Sequence, residues 1–151
     1  MIGLLQRVRD ASVTVGNDTI GTIDQGLLVL IGVERGDTPV QAERLAQRLL
    51  QYRVFADEQG KMNLNVQQIG GGVLLVPQFT LVADTNHGNR PGFSRAAEPA
   101  IGQQLFAHLV AAMRHAWPQV ETGRFGADMQ VRLCNDGPVT ISLTVPPDDN
   151  L

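Results

Sequence analysis

Two short segments hold the residues best suited to chemistry. In Pro77-Gln78-Phe79-Thr80, a side-chain amide, an aromatic ring and a hydroxyl follow directly on the apolar run Val73-Leu74-Leu75-Val76. At a strand end, alternation sets Gln78 and Thr80 to one side and Phe79 to the other. In Asn135-Asp136-Gly137-Pro138-Val139-Thr140, Gly-Pro stands where Asn-Gly or Asp-Gly ordinarily closes a hairpin. Pro138 has no N–H and fixes its own φ. The peptide bond before it is the one kind that adopts cis at a cost of only about 0.5–1 kcal/mol. A cis bond would turn the Gly137 carbonyl outward as an acceptor for an amine. Periodicity alone also fits a plainer arrangement, in which Gln78 and Thr80 lie on the surface of an outer strand, Phe79 is core and Gly137-Pro138 is an ordinary turn.

Side-chain acid–base or metal chemistry finds little elsewhere. His108 and His115 are seven apart and share one helical face, which reads as a solvated helix edge. His87, in a long irregular stretch, is the histidine best placed to touch a substrate. No HExxH helix, G-x-S-x-G elbow or Walker loop occurs. Gly70-Gly71-Gly72 precedes a strand, whereas a phosphate cradle precedes a helix, so it reads as a turn. Asp57, Glu58 and Asp84 read as solvated turn carboxylates with no glycosidase-like pairing. Cys134 is the single cysteine; without a CxxC partner it is expected to be a small buried hydrophobe in a reducing compartment. No metal and no cofactor is expected.

The elements that position these residues fit one domain. From Ile2 to Val33, β-branched runs broken at Gly16-Asn17-Asp18 and Gln25-Gly26 predict three strands. The third, Leu27 to Ile31, lacks alternation and is expected to be buried on both faces. Thr38-Pro39-Val40-Gln41 is a capping-box helix start, predicting a helix to Tyr52. A short strand at Arg53-Val54-Phe55, a turn over 57–61 and the strand Val73 to Val76 come next. The stretch from Ala83 to Arg95 has no periodicity and is long enough to cover a site. Glu98-Pro99 opens a second helix with an apolar stripe of Ile101, Leu105, Leu109, Met113 and Trp117, ended by Pro118. Two last strands, Met129 to Cys134 and Val139 to Val145, are expected to form a hairpin. The expected architecture is a single α/β domain over residues 1–145: a strand-rich, mixed, barrel-like sheet in β-β-α layers with two helices packed on it. Residues 146–151 are expected to be a disordered tail.

With 12 Lys+Arg against 15 Asp+Glu, the formal net charge is -3. That excludes the basic excess of proteins that hold nucleic acid mainly through phosphates, so DNA is not an expected partner and any RNA contact is local. MIGLLQRVRD lacks a signal-peptide pattern, and no run approaches the ~20 apolar residues of a membrane span. The expectation is a soluble cytoplasmic protein.

Across nearly its whole length the sequence resembles the D-aminoacyl-tRNA deacylase (D-tyrosyl-tRNA deacylase) family. The resemblance rests on Gln6-Arg7-Val8, Ala11-Ser12-Val13-Thr14-Val15, Gly26-Leu27-Leu28-Val29-Leu30, Gly60 to Val66, Gln78-Phe79-Thr80-Leu81, Thr122-Gly123-Arg124-Phe125, Asp128-Met129-Gln130-Val131 and the Gly137-Pro138 segment, in the family's order. It implies a homodimer whose partner is the aminoacylated 3′ end of tRNA, and which hydrolyses the ester of D-aminoacyl-tRNA, or of glycine on a non-cognate tRNA. It also implies a cis Gly137-Pro138 reaching into the other subunit's site. Gln78, Phe79 and Thr80 would lie at the scissile ester, Arg7 behind the Gly-Pro segment, Asn135 beside it, and Phe125 with Met129 along the pocket wall. The family usually has Ser where this chain has Pro77, which removes a hydroxyl and an N–H beside the site. A non-catalytic RNA or protein interaction module is the rival class, and a hydrolase of small D-amino acyl esters with Thr80 as nucleophile is another.

Overall fold

A computed structural model, which describes residues 1–148, is organised around one long strand. β1 (Ile2–Val15) pairs antiparallel with β3 (Gly26–Gly32) along its first half and with β2 (Asp18–Ile23) along its second. Its other edge carries β8 (Gln130–Thr144) over both halves. β3 extends the sheet by parallel pairing with β6 (Gly72–Pro77), and β6 pairs in parallel with β7 (Val120–Thr122). β7 then returns against β2. A Cβ added to Gly21 would meet the Thr122 carbonyl oxygen at 2.9 Å, so glycine lets the two strands approach. The mixed sheet is thereby nearly closed into a barrel. Two helices, α1 (Pro39–Gln51) and α2 (Pro99–Ala116), lie outside it, and a small hairpin joins β4 (Phe55–Ala56) to β5 (Met62–Leu64).

Alternation along β3 and β6 fills two cores. Leu28, Leu74 and Val76 point into the barrel with Val8, Val13 and Ile23. Leu27, Val29, Val73 and Leu75 point the other way, against Leu45 and Leu49 of α1 and Leu109 and Met113 of α2. Neither side of these strands faces water, which is why their sequences are apolar without a break. Each such side chain contributes roughly 1.5–3 kcal/mol of burial.

The capping box forms as expected: Thr38 Oγ1 accepts from Val40 N–H, and Gln41 Oε1 accepts from Thr38 N–H at 2.8 Å. α2 stops at Trp117, whose indole N–H donates to Gly71 O at 2.9 Å. Its buried side is broader than the expected stripe, including Phe106 and Val110, while Ile101 is exposed. The chain start is held inside: the Met1 ammonium donates to Asp37 Oδ1 at 2.9 Å and to Val145 O at 2.6 Å. Burial pushes the Asp37 carboxyl above its ordinary pKa, against the ammonium and the Glu34 N–H, which favour its charge.

Several expectations are corrected. The last two strands are one strand, not a hairpin: Gln130–Cys134 pairs with Asp10–Thr14 and Thr140–Thr144 with Ile2–Gln6, in the same direction. The step from Val8 to Gln6 on β1 spans Asn135 to Thr140 on β8, so Gly137-Pro138 sits in a bulge. Cys134 is exposed rather than buried, because among the described residues β8 pairs with β1 alone, as an edge strand. β7 is a strand without a signal of its own. His108 is tied to α1 through Glu43 at 2.9 Å, while His115 is solvated. Of the expected tail, Pro146–Asp148 has no regular structure and Pro147 lies against Gly36; residues 149–151 lie outside the described residues. Among the described residues no helix is long and apolar enough to cross a membrane.

Candidate active site

The site grows from the end of β6. Gln78 N–H makes a last bond to Ile31 O at 2.7 Å, and the chain then leaves the sheet for a 3-10 helix, Phe79–Val82. The expected strand-end alternation of Gln78, Phe79 and Thr80 is therefore replaced by a helical turn. The first residues of a helix have no acceptor behind them. Leu81 N–H reaches Gln78 O at 3.2 Å and Ala83 N–H reaches Thr80 O at 3.1 Å, but the N–H groups of Phe79 and Thr80 make no hydrogen bond among the described residues. The Gln78 side-chain amide donates to Thr80 Oγ1.

This turn borders a cleft of about 490 Å³. Ile31 and Val33 at the end of β3 form its base, Phe79, Phe93, Phe106 and Phe125 its walls, and Arg35, Gln78 and Glu98 its polar groups. An apolar cavity with a few converging polar groups is the usual form of a small-molecule site. Phe79 is 61% exposed and leans on Phe93, with ring centroids 5.0 Å apart. Phe93 is held there because the long loop is pinned by a bridge between Asp84 and Gly92 and another between Glu34 and Ala96. Phe125 fits because α2 has a glycine opposite: a Cβ on Gly102 would come within 3.3 Å of the ring.

A second group lies in the β8 bulge. Arg7 Nε donates to Asp136 O at 2.8 Å and its Nη1 to Val54 O at 2.6 Å. Asn135 Oδ1 accepts from Val139 N–H at 2.7 Å, and its Nδ2 donates to Thr140 Oγ1 at 2.9 Å, closing the bulge at its base. Gly137 has φ +147°, and the Gly137-Pro138 bond is cis, with both residues exposed. A Cβ on Gly137 would lie 2.8 Å from Val139 Cγ2 and 3.1 Å from Arg7 Nη2.

Gln78, Phe79 and Phe125 thus line one cleft, with Thr80 the next residue along the turn but not itself on the lining, while Arg7, Asn135, Gly137 and Pro138 form a separate group that does not line the same chain's cleft. Met129 is not on the cleft wall; it packs on the barrel side, its sulfur behind Gly123 and accepting from Arg124 N–H. Arg35, Phe93, Glu98 and Phe106 complete the cleft without having been singled out. The available signal was Gly102, an unexplained glycine inside a helix, which marks a close approach.

Other surface features stand apart from this cleft. A depression of about 500 Å³ at the opposite ends of β6 and β7 is lined by Asp24 and Glu121, which disfavours phosphate. Asp57 accepts from Asn63 Nδ2, which with the Lys61 N–H holds its carboxyl below the ordinary pKa and closes the β4–β5 turn. His87 does not line the cleft.

A family model described as D-Tyr-tRNA(Tyr) deacylase matches residues 4–144. The D-aminoacyl-tRNA deacylase of Pseudoalteromonas atlantica is 59% identical over 145 residues, covering 96% of this chain and all of the relative. That of Chromohalobacter salexigens is 61% identical over 140 residues, 93% of this chain and 97% of the relative. Among solved structures, the c-Myc DNA unwinding element binding protein superposes with TM-score 0.92 at 38% identity, over 97% of this chain and 99% of that one. A probable eukaryotic D-amino acid tRNA deacylase shares the fold, with TM-score 0.82 at 16% identity over 94% of this chain and 97% of that one.

Proposed function

Because the chain belongs to the D-Tyr-tRNA(Tyr) deacylase family, we propose that it clears D-aminoacyl-tRNA in the cytoplasm by backbone catalysis at the Phe79–Val82 turn. It is a D-aminoacyl-tRNA deacylase, a hydrolase of the ester between a D-amino acid and tRNA. Glycine charged on a non-cognate tRNA is a further substrate, since it has no side chain to exclude.

One observation carries the mechanism: the N–H groups of Phe79, which lines the cleft, and of Thr80, next to it in the turn, have no hydrogen-bond partner among the described residues. An aminoacyl ester is already activated, and stabilising the tetrahedral oxyanion is the main task left. Losing one such donor costs about 2.7–4 kcal/mol of barrier. Water attacks the carbonyl carbon as the neighbouring ribose hydroxyl of the substrate orients it. The carbonyl oxygen takes up negative charge against the two N–H groups. The bond to the ribose oxygen then breaks, and that oxygen takes the proton lost by water. A Thr80 nucleophile is less well served, because its oxygen is paired with the Gln78 amide, which cannot accept a proton as a base.

Chirality follows from exclusion by the partner subunit of a homodimer. Gly137 and Pro138, exposed on a bulge braced by Arg7 and Asn135, hold the α-amino group through their carbonyls and fill the space of an L side chain. Met129 supports Gly123 from below. Deacylation assays with D-Tyr-tRNA, L-Tyr-tRNA and a free D-amino acid ester test this: the expected result is turnover of the D-tRNA ester alone. Equal rates for D- and L-Tyr-tRNA would end the account, and turnover of the free ester alone would favour the small-ester hydrolase.

A further inference from the structure

One part of the cleft border has no role in the deacylation chemistry. Asp84 and Gly92 exchange two backbone hydrogen bonds, at 2.7 and 3.0 Å, and close residues 85–91 into a loop that leads into Phe93 of the cleft wall. Every residue from Thr85 to Pro91 is exposed. Among the described residues the side chains of Asn86, His87, Asn89 and Arg90 have no hydrogen-bond or ion-pair partner; the loop's side-chain bond goes from Asn86 N–H to Asp84 Oδ1. Arg95 stands at the foot of the loop beside Arg35, joined by Arg35 N–H to Arg95 O at 2.9 Å. Neither guanidinium meets a carboxylate among the described residues, and Arg35 Nε reaches only the Ala96 carbonyl, at 3.3 Å. The carboxylates between positions 83 and 98 are Asp84, occupied by Asn86 N–H, and Glu98, which lines the cleft itself.

The border of the cleft therefore presents unsatisfied donors and positive charge in a chain whose net charge is -3. The far ends of β6 and β7 carry Asp24 and Glu121. Six residues of strand, about 17–20 Å, separate the two ends of β6, so the guanidinium groups of Arg90 and Arg95 stand at the cleft end, away from Asp24 and Glu121. A polyanion that reaches the cleft border meets these cations locally, without needing an overall basic charge. Arginine, asparagine and histidine donors with no internal task match phosphate and sugar oxygens, which position a nucleic acid without reading its sequence.

We propose that the 85–91 loop, with Arg90 and Arg95, is the docking surface for the sugar–phosphate backbone of the tRNA acceptor end, where the strand leaves the cleft. This rests on the cleft being the seat of the aminoacyl ester. It explains how an acidic protein selects a polyanionic substrate: the contact is confined to one loop, and the ester-binding cleft is continuous with it.

The test compares D-tyrosyl-tRNA with D-tyrosyl-adenosine, an ester without phosphates, on the wild type and on the double variant Arg90→Ala/Arg95→Ala. The expected result is a KM for D-tyrosyl-tRNA raised roughly tenfold per arginine, an unchanged kcat at saturation, and unchanged hydrolysis of D-tyrosyl-adenosine. The log–log salt dependence of kcat/KM on the tRNA ester should flatten by about 0.7–0.9 for each lost contact. The variant Arg90→Lys/Arg95→Lys should restore most of that salt slope. An unchanged KM and salt slope would overturn the proposal, as would equal losses on both esters. Failure of the wild type on both esters would overturn the assignment of the cleft, and this inference with it.

Discussion

Replacing Phe79 by alanine and by proline separates the ring of this residue from its N–H. Phe79 is 61% exposed. Burial of the rest of its side chain is worth about 1 kcal/mol, taking 1.5–3 kcal/mol for a fully buried phenylalanine. Phe79→Ala should therefore remain folded, lose that much stability, and show a moderately raised KM because one cleft wall and the Phe93 contact are gone. Phe79→Pro loses the same ring and, in addition, the N–H. The backbone accepts the change: Phe79 is the first residue of its helix, where proline is favoured, and its N–H has no partner among the described residues to lose. Gln78, with φ -142° and ψ 82°, lies outside the helical region that a following proline would exclude. The two variants should thus melt within a degree or two of one another. If the N–H holds the oxyanion, kcat for D-tyrosyl-tRNA under single-turnover conditions should be about 10²–10³-fold lower in Phe79→Pro than in Phe79→Ala. Equal kcat values in two folded variants would refute the oxyanion role of this N–H.

Three other perturbations probe the frame around the site. Arg7→Met removes two charge-assisted hydrogen bonds, to Asp136 O and Val54 O; urea unfolding should show a loss of about 2–4 kcal/mol, with kcat/KM reduced even where the protein is fully folded. Gly26→Ala would set a Cβ 1.8 Å from the Gly72 carbonyl oxygen, backbone against backbone; it should cost more than about 4 kcal/mol and give little folded protein by circular dichroism. Asp37 has a raised pKa through burial, so the folded state binds its proton more tightly than the unfolded state. Stability linked to this group therefore rises as pH falls from neutral through the raised value towards the ordinary carboxylate value. The difference in unfolding free energy between wild type and Asp37→Asn should shift in favour of wild type over that window, and a shift in the opposite direction would reverse the assigned sign.

What the sequence made legible follows from which interactions are local. The capping box at Thr38 and Gln41 is a four-residue device, and it was readable because its partners are neighbours. The unbroken apolar run Leu27–Ile31 was readable because burial on two faces leaves the same mark whatever lies on each face; the run does not say that one face is a barrel interior and the other a helical layer. Asn-Asp-Gly-Pro in the β8 bulge predicts a hairpin because it is a turn signal in either case. Deciding between them requires knowing that β1 is fourteen residues long and supplies partners on both sides of the bulge, which no local pattern records. Exposure of Cys134 has the same origin, since it depends on what fails to pack over an edge strand.

The site divides along the same line. Gln78, Phe79 and Thr80 stand out because polar residues directly follow an apolar strand, but the role proposed for Phe79 and Thr80 lies in their backbone. The helical turn that frees two N–H groups arises where the ladder ends, at the Gln78 N–H bond to Ile31 O, a contact across 47 positions. Phe93, Glu98 and Phe106 belong to the cleft only because the Glu34–Ala96 bridge and the seating of α2 bring them there. Side-chain chemistry is announced by residue type; backbone chemistry is announced only by where hydrogen bonds stop. On the proposed backbone mechanism the surface acids and bases His87, His115 and Glu58 have no part in the chemistry, so residue type alone points away from the site.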